Sequence, residues 1–231
     1  MRIAGIVGGI GPESTVEYYR LAIALCRERA PGGSAPPILI NSIDLDRMLG
    51  MIGENRLLEV TNYLLGEIER LARAGADFGA LAANTPHVVF GALEERTPIP
   101  LVSLVDAACR AVVAQRLRRV GLFGTRFTMQ AAFYPEALAR SGIAAVLPSP
   151  EEQDFIHGIY IGELVKGVFR PETRARLHAI AGRLRDDEGA DGVILAGTEL
   201  PLILRDEAEA GLPLIDTTRA HVLEIVANIC S

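Results

Sequence analysis

Phe78-Gly79-Ala80-Leu81-Ala82-Ala83-Asn84-Thr85-Pro86-His87 is the stretch from which the fold can be read. Its first five residues are an apolar run that predicts a buried strand. Asn84 and Thr85 break the run with small polar groups. Pro86 has no N–H to donate and fits the first turn of a helix, for which Thr85 is a suitable N-cap. A strand, a polar elbow and a helix start follow one another, with the positive end of the helix at the end of the sheet. That arrangement suits an anion. Val193-Ile194-Leu195-Ala196-Gly197-Thr198-Glu199-Leu200-Pro201 has the same grammar. Two such elbows facing each other across a cleft would enclose a small molecule.

The same alternation extends outward in both directions. A strand at 3–7 runs into Gly8-Gly9-Ile10-Gly11-Pro12, where glycines permit a tight turn with the backbone close to a ligand. Pro12 opens a helix whose Tyr18, Leu21, Ala22, Leu25 and Cys26 fall at helical spacing. GGxGP departs from the GxGxxG of dinucleotide sites, and no acidic residue follows in the ribose position, so no nucleotide is expected. A loop at 27–37 leads to a strand at 38–40 and a helix at 55–74. After the first elbow come a helix at 86–95 and a strand at 100–103. A helix at 106–117 and a strand at 120–123 end at Gly124-Thr125-Arg126-Phe127-Thr128-Met129, with Thr128 as N-cap of a helix at 129–140. A short strand at 144–147, helices at 151–169 and 171–188, the second elbow, a strand at 214–215 and a closing helix complete the chain.

Strands alternating with helices indicate an α/β class with parallel sheet. The chain reads as two pseudo-symmetric parallel-sheet domains with helices on both faces. One spans 1–98 plus 213–231 and the other 99–212, with the ligand cleft between them at the C-terminal ends of the strands.

Composition narrows the function classes. The 231 residues are 49% hydrophobic and contain no tryptophan, which gives an aliphatic core. A net charge of −6 argues against a nucleic-acid partner, which needs a basic footprint. Cys26, Cys109 and Cys230 are odd in number and form no CxxC pair, so neither a disulfide scaffold nor a zinc knuckle is indicated. His157, His178 and His221 lack ligand-like spacing, and no metal is expected. No apolar run reaches the roughly 20 residues of a membrane span, and no signal-peptide n-region precedes the first strand, so a cytoplasmic protein without a membrane partner is expected.

Taken in order, Gly8-Gly9-Ile10-Gly11-Pro12, Asn84-Thr85-Pro86-His87, Gly124-Thr125-Arg126-Phe127-Thr128-Met129, Glu163-Leu164-Val165-Lys166-Gly167, Thr198-Glu199-Leu200-Pro201 and Asp216-Thr217-Thr218 with His221 resemble the aspartate/glutamate racemase family. The resemblance covers essentially the whole chain. It implies a two-domain α/β fold, often a homodimer, that needs no cofactor and moves the Cα proton of a small amino acid or related carboxylic acid. It also implies that Gly9, Asn84, Thr85 and Thr198 hold the substrate carboxylate, with Thr125 and Thr128 as polar contacts. Lys166 is the implied cation for a side-chain carboxylate, and Arg47 is a weaker match to the arginine of acidic-substrate members.

The chemistry departs from the family. Two cysteines usually serve as acid and base, a thiol being tunable from its pKa of about 8.5. Those positions are Ala83 and Gly197 here, so the two-thiol mechanism cannot operate. Relatives with one cysteine replaced tend to be one-sided catalysts or decarboxylases. The remaining catalytic candidates are Glu199 and His87, each just past a vacated position. His87 has a helix-start role as its alternative, and Glu199 a role in accepting backbone N–H bonds or orienting an amino group. Three readings follow: a racemase or epimerase with a non-thiol acid/base, a lyase or decarboxylase on a similar acid, and a small-acid binding protein.

Overall fold

In the computed structural model, which describes residues 1–29, 33–204 and 211–231, Val7 pairs in parallel with Asn41 on one side and Leu81 on the other. That places β1 (Ala4–Gly8) inside a four-stranded parallel sheet with β2 (Ile38–Ser42), β3 (Phe78–Leu81) and β4 (Leu101–Val102), in the order β2-β1-β3-β4. A second sheet has β5 (Arg119–Gly124), β6 (Ala144–Val146), β7 (Gly192–Ala196) and β8 (Leu214–Asp216) in the equivalent order β6-β5-β7-β8. The chain divides into two compact units, Met1–Leu104 with Thr218–Ser231, and Val105–Thr217. The class is therefore α/β with two parallel sheets. Residues 30–32 of the loop expected at 27–37 lie outside the described residues.

In the first unit, Ala4 and Ile6 of β1 pack with Phe78, Ala80 and Ala82 against α1 (Pro12–Arg29) and the C-terminal helix Thr217–Cys230. The alternate residue Gly5 points the other way. A Cβ there would lie 2.9 Å from Ala76 Cβ and 3.1 Å from Leu71 of α3 (Leu57–Arg73), so only glycine lets that helix approach so closely. In the second unit, Phe123, Val193 and Leu195 pack on α8 (Pro150–Gly162) and α9 (Pro171–Glu188) through Ile156, Ile159, Tyr160, Leu177, Ile180 and Leu184. Nearly every strand residue of β1, β3, β5 and β7 is buried, as central strands of a covered parallel sheet require.

Several expected elements differ. Helix α2 (Leu45–Gly53), capped by Asp44 through Arg47 N at 3.0 Å, lies where no helix was expected. The single helix expected at 129–140 is two, α6 (Arg126–Gln130) and α7 (Phe133–Arg140). Pro135 explains the break: it cannot donate to the carbonyl of Ala131 and its ring would crowd that group. Thr128 is not an N-cap. Thr125 is, accepting from Thr128 N at 3.2 Å. The helix expected at 151–169 stops at Gly162, and Gly167, at φ 73°, closes a short 3-10 turn Leu164–Lys166. The first elbow leads into a five-residue 3-10 turn Thr85–Val89, then α4 (Phe90–Glu94), rather than one helix. Thr85 sits inside that turn and Asn84 precedes it without a side-chain cap, so the expected Thr85 N-cap is absent. Aligned peptide dipoles over so short a turn supply little of the charge that the anion argument assumed.

Candidate functional site

In both sheets the strand order reverses direction between the first strand of the unit and the third. Ligands of open parallel sheets bind at this switch point, beyond the carboxyl ends of the strands. In the first unit the switch lies between β1 and β3, and the loops leaving them carry Gly9 and Ala83-Asn84-Thr85. In the second it lies between β5 and β7, whose last residues Gly124 and Ala196 are register partners. The loops there carry Thr125–Thr128 and Gly197–Glu199. The topology thus gathers Gly9 with Asn84 and Thr85 in one unit, and Thr125 and Thr128 with Thr198 and Glu199 in the other.

The first elbow is held by backbone contacts. Gly9 has φ +81°, and a Cβ there would lie 2.6 Å from Ser42 Oγ and 2.7 Å from Ile43 N, so glycine is required. Its N–H donates to Thr15 Oγ1 at 2.8 Å, and Ser14 Oγ donates to Ala82 O at 3.3 Å. Asn84 is 4% exposed and Thr85 is half-buried. His87 is buried with both ring nitrogens bonded to backbone. Leu104 N donates to Nε2 at 3.0 Å, so that nitrogen carries no proton; Nδ1 must carry it and donate to Ala83 O at 2.9 Å. The ring is therefore the neutral Nδ1–H tautomer, and it stacks on Phe90.

The second elbow is built around a carboxylate. Glu199 is 3% exposed, and two hydroxyls donate to its Oε2, Thr198 at 2.8 Å and Tyr160. Burial, and then the neighbouring Glu199 charge, push the Tyr160 phenol well above its ordinary value, so Tyr160 remains a protonated donor. Thr125 and Thr128 lie beside this elbow with their hydroxyls 3.1 Å apart, Thr128 fully buried. Lys166 is exposed on the short 3-10 turn and makes no side-chain hydrogen bond or ion pair among the described residues.

Ala83 ends the first apolar run and Gly197 the second, and no cysteine is beside either. Cys26 lies on α1 and Cys109 on α5 (Leu104–Ala114), both buried, and burial pushes each thiol up to about 11. Such thiols are not activated for proton transfer at neutral pH. Arg47 is exposed at α2, with its guanidinium 4.5 Å from the Tyr63 ring centre, and lines a cavity of about 410 Å³ with Tyr63, Glu67 and Arg70. Among the described residues no group of three His, Cys, Asp or Glu side chains could hold a metal, and no helix is long and apolar enough to cross a membrane. The residue that sequence reasoning missed is Tyr160. Its signal was faint, a tyrosine on the buried side of a helix beside Gln153, Ile156 and Ile159.

This switch-point arrangement has close parallels. Residues 7–225 match the family model for Asp/Glu/Hydantoin racemase. The chain is 25% identical over 228 residues to the broad specificity amino-acid racemase RacX of Bacillus subtilis, covering 93% of this chain and 92% of that one. Its fold is similar to that of an aspartate racemase homologue from Pyrococcus horikoshii, with a TM-score of 0.87 and 31% identity over the full length of both chains. It also resembles Picrophilus torridus aspartate racemase in fold, with a TM-score of 0.75 at 20% identity, covering 99% of this chain and 94% of the other. With a model match over nearly the whole chain and a full-length structural relative at 31% identity, the chain belongs to the Asp/Glu/Hydantoin racemase family.

Proposed function

We propose that this protein carries out cofactor-independent proton transfer at the Cα of a small amino acid or related carboxylic acid, with Glu199 rather than a thiol holding the proton. One observation carries the reading. Glu199 is a buried carboxylate two residues past the vacated position 197, and both of its hydroxyl donors converge on Oε2, leaving Oε1 without a hydrogen bond among the described residues. An oxygen held in place through its partner and itself open is suited to accept a proton. Asn84, Thr85, Thr198, Thr125, Thr128 and the backbone at Gly9 are the proposed carboxylate and polar contacts, with Lys166 for a second acidic group. His87 has a structural role in this reading, since both ring nitrogens already serve the backbone. The reading includes a homodimer, on the strength of the family resemblance, and a cytoplasmic location.

A lyase or decarboxylase acting on a similar acid is the second reading, favoured by one observation. Position 83, where the family resemblance implies one of the two proton carriers, is an alanine, and both ring nitrogens of His87 are bonded to backbone. Chemistry with one proton carrier delivers the proton to one face only.

Proton NMR in heavy water, with L- and D-amino acids starting from aspartate and glutamate, tests both. Loss of the Cα proton signal that disappears in Glu199→Gln, while binding by thermal shift persists, supports the proposal. Loss of the signal with retained configuration marks one-faced transfer. Binding without exchange, together with carbon dioxide release from an α-carboxy acid, moves the assignment to the decarboxylase.

A further inference from the structure

Gly197 is an unexpected residue at this elbow, and the structure gives it a reason. A Cβ at 197 would lie 2.4 Å from Tyr160 Cε2, 3.1 Å from Tyr160 Cζ and 3.2 Å from Leu200 Cδ1. Cε2 and Cζ are the hydroxyl end of the ring. The space that a side chain at 197 would need is filled by the phenol of Tyr160. The ring cannot swing away cheaply, because it is 8% exposed within the core formed by Ile156, Ile159, Leu164 and Leu200.

We propose that Tyr160 is the positioning residue of this site: its phenol enters the space left open by Gly197 and holds the Glu199 carboxylate for proton transfer. The inference rests on the functional reading above and deepens it. Tyr160 and Thr198 both donate to Oε2, so the carboxylate is fixed through one oxygen and presents the other. In the step itself the Cα–H bond breaks, its electron pair stays on the substrate as an enolate, and the proton goes to Glu199 Oε1. The reverse step returns it. Tyr160 keeps its own proton throughout, as its burial requires. Without this donor the carboxylate is held by Thr198 alone and can turn away from the reacting atom, and misplacement of that kind is expected to slow transfer by about tenfold or more. Any side chain at 197, even a methyl, would push the ring off the carboxylate. Gly197 and Tyr160 therefore act as one unit.

The test uses the full chain with Gly197→Ala, Tyr160→Phe and the double variant. Tyrosine rings are labelled with carbon-13, and the Tyr160 signal is assigned by its loss in Tyr160→Phe. Gly197→Ala is expected to move the Tyr160 ring signal. Each single variant is expected to lower kcat for Cα exchange by about tenfold or more with KM changed less than about threefold, and the double is no slower than the slower single. Wild-type kcat in Tyr160→Phe, or an unmoved ring signal and unchanged kcat in Gly197→Ala, overturns the proposal. If the wild type exchanges no acid, the functional reading fails separately. The Gly197–Tyr160–Glu199 arrangement is then judged by the ring signal alone: it should move in Gly197→Ala and in Glu199→Gln, and the two changes together should add nothing. An unmoved signal rejects it.

Discussion

The Tyr18 hydroxyl lies 2.9 Å from Nδ1 of His221, a residue 203 positions away in the chain. His221 Nε2 lies 2.9 Å from Val102 O. A carbonyl only accepts, so Nε2 carries a proton and donates to Val102 O, while Nδ1 pairs with the Tyr18 hydroxyl. One buried imidazole thus ties α1, the C-terminal helix and the end of β4. His221→Ala removes both bonds at a site with 0% exposure for His221 and Tyr18. The expected loss is about 2–4 kcal/mol in urea denaturation, from stranded polar groups plus the cavity. A loss below about 1 kcal/mol would show that the imidazole is not a brace.

His87 is expected to behave in the same way, not as a proton carrier. His87→Ala deprives Leu104 N–H of its acceptor and Ala83 O of its donor, next to the first elbow. The expected cost is about 2 kcal/mol or more of stability. Any Cα exchange, corrected for the native fraction, should fall by less than about tenfold. A drop of a hundredfold per folded molecule would return His87 to the list of proton-transfer groups.

The sheets were legible because buried parallel strands are short apolar runs ended by Gly, Asn and Thr. The elbows were legible because Pro and Gly punctuate them. The α2 helix was missed because Gly50 and Gly53 weaken its helical pattern, although Asp44 before it is an N-cap residue. The break between α6 and α7 was missed because Pro135 acts on a carbonyl four residues upstream, and the apolar pattern runs on regardless. Of the proposed site, Glu199 could be named from its place after Thr198, and the pair Ala83 and Gly197 from the family's motifs. Tyr160 could not be named. Its role depends on β7 meeting α8 in space, and nothing in the spacing from 160 to 197 marks that contact.

His157 provides a pH dependence whose sign can be fixed. Arg126 N donates to its Nδ1 at 3.3 Å. Burial, then the Arg126 charge, lowers its pKa below the ordinary 6.5. The unfolded chain therefore binds the proton more readily than the folded one between the depressed value and 6.5. Stability is lost as pH falls through that window and is fully present above it. His157→Gln should flatten this part of the Tm profile relative to wild type. The group is only partly buried, so the difference should amount to a few degrees at most. A wild-type Tm that rises as pH falls from 7 to 5, relative to His157→Gln, would contradict the sign.

Restoring thiols is the sharpest test of how the two elbows correspond to the family's acid and base. Ala83→Cys adds one sulfur to a buried methyl and should fold. Gly197→Cys should not be tolerated in the same way, because its Cβ alone would lie 2.4 Å from Tyr160 Cε2. Overpacking of that kind costs about 1–3 kcal/mol. The double substitution on its own is therefore expected to lower Tm and to give little Cα exchange. Tyr160→Leu removes the ε and ζ atoms that collide while keeping an apolar filler. Ala83→Cys, Gly197→Cys and Tyr160→Leu together should recover Tm and raise Cα exchange on an accepted amino acid, now with inversion, the outcome expected if positions 83 and 197 correspond to the family's acid and base. Exchange in heavy water, followed by chiral chromatography, reads both quantities. If the triple variant is folded and binds the acid but gives no inversion, positions 83 and 197 are not the counterparts of the family's thiols.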